Sequence, residues 1–153
     1  LPPSVKPAFD AAARQARQAS DWNVPDPQLH WNLAHGNCCM DAASAAALGM
    51  ALIGRRFFKP ETLSMMTGIH ARLGSRDPSL GQGIGMFVLG DGDVCPYPLH
   101  GHQGMAYGAV HMLFLDMKNR RGILSLTGGA SEARRYIMAD LNRALLKAWL
   151  SDE

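Results

Sequence analysis

The sequence predicts an α+β fold. Antiparallel strands near 83–90, 105–116 and 123–128 should carry a long C-terminal helix on the sheet, with further helices between 41 and 71. Three features predict this. From residue 83 the apolar pattern changes to short runs bounded by glycine, starting with GIGMFVLG. The turn residues KNRRG then separate two apolar runs, so the second reads as a returning strand. Finally, Ile137, Met138, Leu141, Ala144, Leu145, Ala148 and Trp149 recur at helical spacing, a stripe suited to one face of a sheet.

Residues 5–19 are Ala-rich without internal glycine and predict a helix with Pro7 in its first turn. Residues 20–36, with Pro25, Pro27 and Gly36, read as irregular. DAASAAALGMALIG, 41–54, predicts a helix capped by Asp41 and stopped at Gly54. Pro60, Glu61 and Thr62 predict a second helix start, giving 60–71, and 72–82 reads as a loop. MAYGAVHMLFLD, 105–116, is apolar on both sides, as in a strand covered on both faces. ILSLTG, 123–128, returns beside it, and the last helix is expected from Ser131, with Glu132 favourable in its first turn. Three strands under one helix leave a face bare and an edge unpaired. The helices at 41–71, or strands from another segment, are needed to cover them.

The chain has 153 residues, the size of one domain, and a net charge of only +2. Its basic residues are scattered; KNRR at 118–121 reads as a solvated turn, and no nucleic-acid partner is expected. No apolar stretch reaches transmembrane length. The opening LPPSVKP has no initiator Met and no charged-then-apolar leader, as expected of a trimmed chain or of a piece of something longer. Three cysteines, Cys38, Cys39 and Cys95, are too few for a disulfide framework, and no CxxC spacing supports zinc.

LHGHQG, 99–104, holds two histidines one residue apart. On a strand that spacing would put His100 and His102 on one face, but no carboxylate stands near with ligand spacing, so no metal is expected. His100 reads as a loop residue or structural hydrogen bonder, His111 as a satisfied core histidine, and the methionines as core filler.

The order of segments from 37 to 150 resembles the C-terminal part of the serine β-lactamase and penicillin-binding-protein superfamily, on its class C, esterase and D-aminopeptidase side. The matching pieces are NCCMDAASAAALGMALI, KPETLSMM, GIGMFVL, then His102-Gln103-Gly104 where the family has Lys-Thr-Gly or His-x-Gly, then GILSLTGG and a long helix. Residues 1–36 fall in a variable segment before it. The resemblance implies a β-lactamase/transpeptidase-like fold, acyl-transfer chemistry, no cofactor, and a periplasmic or secreted location. Two motifs are missing. None of Lys6, Lys59, Lys118 and Lys147 is preceded at three residues by Ser, and none of Tyr97, Tyr107 and Tyr136 is followed at two by Asn or Ser. The nucleophile and its base are therefore expected on an N-terminal portion of the same hydrolase, the principal partner, and this chain is expected to be inactive alone.

The resemblance further implies the site. His102 would donate to a substrate carboxylate or aid proton transfer, Gln103 would replace the usual Thr or Ser, Gly104 would let substrate lie against the strand, and the Met105 N–H would be an oxyanion-hole donor. Asn37, Gln103 and Tyr107 would contact a small-molecule or peptide substrate, and a disulfide from Cys38 or Cys39 to Cys95, with Cys39–Cys95 the candidate pair, would tie the entry to the loop before the motif. The competing reading is a non-catalytic binding or assembly module on the same sheet, with homo-oligomers possible through its bare edges.

Overall fold

The computed structural model describes residues 40–72, 77–90 and 94–151. Among them the chain is α+β. Helix α1, Ala42–Ile53, starts where the Asp41 carboxylate accepts the Ser44 N–H at 2.7 Å and stops at Gly54. Helix α2 is Pro60–Thr67, with proline in its first turn. A six-stranded sheet follows: β1 Ala71–Arg72, β2 Leu80–Gln82, β3 Phe87–Leu89, β4 Leu99–Ala106, β5 Ala109–Asp116 and β6 Arg121–Thr127. The strands lie in chain order and every neighbouring pair is antiparallel, so the sheet is one meander. A short hairpin, β7 Arg134–Arg135 with β8 Met138–Ala139, leads into helix α3, Asp140–Ser151. The predicted helix at 5–19 lies outside the described residues.

Six expectations are corrected in detail. The stretch 105–116 is not one strand. It folds back at Tyr107–Gly108, whose φ angles of 54° and 79° are those of a two-residue hairpin loop. The stretch 99–106, read partly as loop, is therefore a full strand. The last helix begins at Asp140 rather than Ser131, because a hairpin with Tyr136 at φ 61° intervenes; Ile137 and Met138 belong to that hairpin. Glu132, expected in a helical first turn, instead accepts the Gly108 N–H at 2.6 Å and closes the β4–β5 loop. The second helix ends at Thr67, and the segment read as strand 83–90 is extended only at Phe87–Leu89, after a bend with Gly85 at φ 70°.

Each sheet face is covered by a different layer. On one face Leu80, Leu89, Leu99, Met112 and Phe114 are buried with Met138 and Leu146 of the β8–α3 layer. Burying side chains of this size contributes roughly 1.5–3 kcal/mol each. On the other face α1 sits on Leu113 and Leu115. A methyl group on Gly49 would stand 3.1 Å from Leu115 Cδ2 and 3.3 Å from Leu113 Cδ1, so the small residue sets the helix-to-sheet distance.

Two buried carboxylates pin the turns. Asp116 accepts the Lys118 and Asn119 N–H groups at 3.1 and 2.9 Å, Asn119 Nδ2 at 2.7 Å and Arg121 Nε at 3.2 Å. Burial alone would raise this carboxyl, but Asn119 and Arg121 hold it below its ordinary value. Asp77 accepts Ser79 N–H at 3.0 Å and Ser79 Oγ–H at 2.6 Å, and its second oxygen accepts the Ile137 N–H at 3.3 Å. It thereby fastens the β2 end of the sheet to the β7–β8 hairpin.

Candidate functional site

Strand β4 has two neighbours along part of its length and one along the rest. Leu99, His100 and Gly101 pair with β3, whereas 102–106 pair only with β5 among the described residues. The hairpin fixes which backbone groups face that open side. Ala106 and Ala109 flank a two-residue loop and form its closing hydrogen-bonded pair. Alternation along the ladder then turns the N–H and C=O of Gln103 and Met105 away from β5. The Gln103 carbonyl is one of these groups, and it accepts His102 Nδ1–H at 2.6 Å.

Side chains alternate across the same strand. Cross-strand pairing of His102 with Leu113 and of Gly104 with His111 puts these four on the α1 face. A cavity of about 340 Å³ opens there, bounded by His102, Gly104 and His111, by Leu113, Leu124 and Leu126, and by Met40 and Ala45 from the α1 end. Gly104 is where the floor stays open, since a Cβ on it would meet nothing within 4 Å among the described residues. The His102 ring stacks on Phe87, with centroids 4.4 Å apart and planes at 16°, where β3 ends.

The hydrogen bonds assign both imidazole tautomers. A carbonyl can only accept, so His102 carries a proton on Nδ1, and the neutral ring has its lone pair on Nε2. The opposite holds for His111, whose Nδ1 accepts the Thr127 N–H at 3.1 Å, which leaves the proton on Nε2. One histidine of the cavity thus offers an acceptor, or base, and the other a donor.

Gln103 lies on the other face, opposite Met112. Its amide donates to the Ile137 carbonyl at 2.6 Å and accepts from Ala139 N–H and Asn142 Nδ2, both at 3.0 Å. Asn142 Nδ2 also donates to the His111 carbonyl at 3.1 Å. Gln103 therefore contributes to the cavity wall while its amide holds the C-terminal layer against β4.

The remaining predicted site residues are dispersed. Met105 pairs with Val110, so its side chain faces the α3 layer while its N–H faces the open edge. Tyr107 is exposed at the hairpin tip, away from the open centre of the strand. Asn37 and Cys39 lie outside the described residues. Cys95 is buried and free among the described residues, with its S–H donating to the Leu89 carbonyl at 3.4 Å; burial pushes the thiol up to about 11. His100 is half-buried on the α1 and α2 face, and its Nδ1 has no hydrogen-bond partner among the described residues. Burial pushes its imidazole below the ordinary value, against the opposing Thr67 and Leu115 backbone and the Asp116 charge. Among the described residues no group of three or more His, Cys, Asp or Glu could hold a metal ion, and no helix is long and apolar enough to cross a membrane.

Sequence reasoning missed His111 and Asn142 as parts of this region. Mid-strand among apolar residues, His111 gave no signal of lining a cavity until the hairpin at Tyr107–Gly108 set Gly104 opposite it. Asn142 was hidden inside the helical stripe, where one polar residue looks like the solvated side. No protein-family model matches the chain, and no curated protein or solved structure matches it.

Proposed function

We propose that this chain is the C-terminal portion of a serine acyl hydrolase of the β-lactamase-like superfamily, and that it supplies the motif strand and one oxyanion-hole donor. The observation that carries this reading is the open edge of β4 beside Gly104. There, among the described residues, the Met105 N–H faces a side without a strand, next to a cavity that a Cβ at Gly104 does not narrow. An extended acyl or peptide substrate laid along that edge gains backbone hydrogen bonds, and its reacting carbonyl meets the donor. His102, with its Nε2 lone pair free, serves as the proton acceptor in transfer between nucleophile and leaving group. Gln103 acts as a positioning residue through Asn142 and the β8 backbone.

The missing serine supports a partner. The sequence holds no Ser-x-x-Lys, so attack on the carbonyl requires a nucleophile from an N-terminal portion. The sheet has room to receive it, because β6 is its last strand and has a neighbour only in β5 among the described residues. An unpaired seven-residue edge such as Arg121–Thr127 is a template for added strands. A periplasmic or secreted location belongs to the same proposal.

The test is turnover of a chromogenic ester by this chain alone and after refolding together with a portion carrying Ser-x-x-Lys and Tyr-x-Asn. The chain alone should be inert and the combination active. An inert combination, or equal turnover by the chain alone, would overturn the proposal.

A further inference from the structure

We infer that the cavity over Gly104 is a binding site for a small neutral acyl amide with an apolar side chain, and that His111 is its specificity-determining hydrogen-bond donor. Thr127 N–H occupies His111 Nδ1, so the ring has one polar atom left, a donating Nε2–H. His102 has the complementary remainder, an accepting Nε2, because its Nδ1–H is held by the Gln103 carbonyl. An amide presents one C=O and one N–H, which matches this donor and acceptor. Among the described residues a carboxylate finds no fixed cation around the cavity, and its second oxygen would face the His102 lone pair. Most of the remaining wall is apolar, with Leu113, Leu124, Leu126 and Met40, so the group beside the amide should be a hydrocarbon side chain. At about 340 Å³ the cavity has the size of small-ligand sites.

The site rests on the acyl-transfer reading only for what happens to the carbonyl afterwards; binding itself needs no nucleophile. The experiment is a titration of the full chain, with its histidines labelled with ¹⁵N, by N-acetyl-leucinamide, with N-acetyl-glycinamide as the control. Expected first is the spectral signature of an Nε2-protonated His111 and an Nδ1-protonated His102 in the free protein. N-acetyl-leucinamide should then shift both rings and bind at least ten times more tightly than the glycine compound. His111→Phe, which keeps a planar aromatic ring but removes the Nε2–H donor together with the acceptor of the Thr127 N–H, should weaken binding about tenfold. An Nδ1-protonated His111, unmoved ring signals, or equal affinity for the two amides would each overturn the inference. The tautomer and titration are read on the unmodified chain, so the outcome does not depend on the variant folding. Binding as inferred with no turnover in the reconstituted enzyme would overturn the hydrolase reading alone; turnover without binding would overturn this site alone.

Discussion

Asn142 donates one amide to two strands: its Nδ2 reaches Gln103 Oε1 on β4 at 3.0 Å and the His111 carbonyl on β5 at 3.1 Å. One side chain of α3 therefore fixes the spacing of the two strands that carry His102 and His111. Asn142 is fully buried, so water cannot replace either bond. Asn142→Asp removes both donated hydrogens and sets carboxylate oxygens against two acceptors. It should destabilise the protein by about 3 kcal/mol or more, and Asn142→Ala by about 1–3 kcal/mol. Denaturant unfolding of both variants checks the order, and a larger loss for Ala would contradict it.

Gly101 and Gly104 stand on the same strand with opposite tolerances. A Cβ at Gly101 would collide with the Leu113 carbonyl of β5, whereas one at Gly104 meets nothing within 4 Å among the described residues. Gly101→Ala should cost about 1–3 kcal/mol because backbone must move. Gly104→Ala should leave stability within about 0.5 kcal/mol, or raise it slightly by restricting the unfolded chain. Thermal unfolding of the two variants side by side separates them.

The contrast shows what was legible in the sequence. Both glycines look alike in LHGHQG, and only the register with β5 tells them apart. Helices α1 and α2 were readable because Asp41, Gly54 and Pro60 carry local capping chemistry. The β5–KNRR–β6 hairpin was readable because polar turn residues separate two apolar runs. The β4–β5 hairpin was not, because its loop is Tyr-Gly rather than Asn-Gly or Asp-Gly and both flanks are apolar, so the run reads as continuous. The late start of α3 was missed for a related reason: Ile137 and Met138 fit the helical stripe, and the left-handed Tyr136 that breaks it has no glycine to announce it. In the candidate site the triplet itself was visible, but its partners depend on pairing at long range.

His100 should give the fold a pH-dependent component. Its imidazole is held below the ordinary value by burial, so the native state favours the neutral ring. The unfolded chain takes up a proton near the ordinary value of about 6.5, and stability is complete above that pH. It is lost as pH falls from there through the lower folded value. His100→Leu should flatten this part of the stability profile below about pH 7. An unchanged slope in the variant would assign the dependence elsewhere.

Cys95 should be a slow thiol. Its S–H points to the Leu89 carbonyl, and burial holds it at about 11, so only about a thousandth is thiolate at pH 8. In a Cys38→Ser/Cys39→Ser background a thiol reagent should modify native protein at least about a hundred times more slowly than the unfolded chain. Equal rates would show that the β3–β4 layer opens freely.

The most direct measurement of the central claim compares His102→Ala with His100→Ala in the enzyme reconstituted from this chain and a nucleophile-bearing N-terminal portion. The two histidines are one residue apart; His102 lines the cavity, and His100 lies half-buried beside Leu115. Loss of a proton-transfer group should lower kcat/KM for a chromogenic ester by about 10² or more for His102→Ala, while His100→Ala stays within a few-fold once it is folded. Equal losses in the two variants, or full activity of His102→Ala, would contradict the claim that His102-Gln103-Gly104 is the motif strand of an acyl-transfer site.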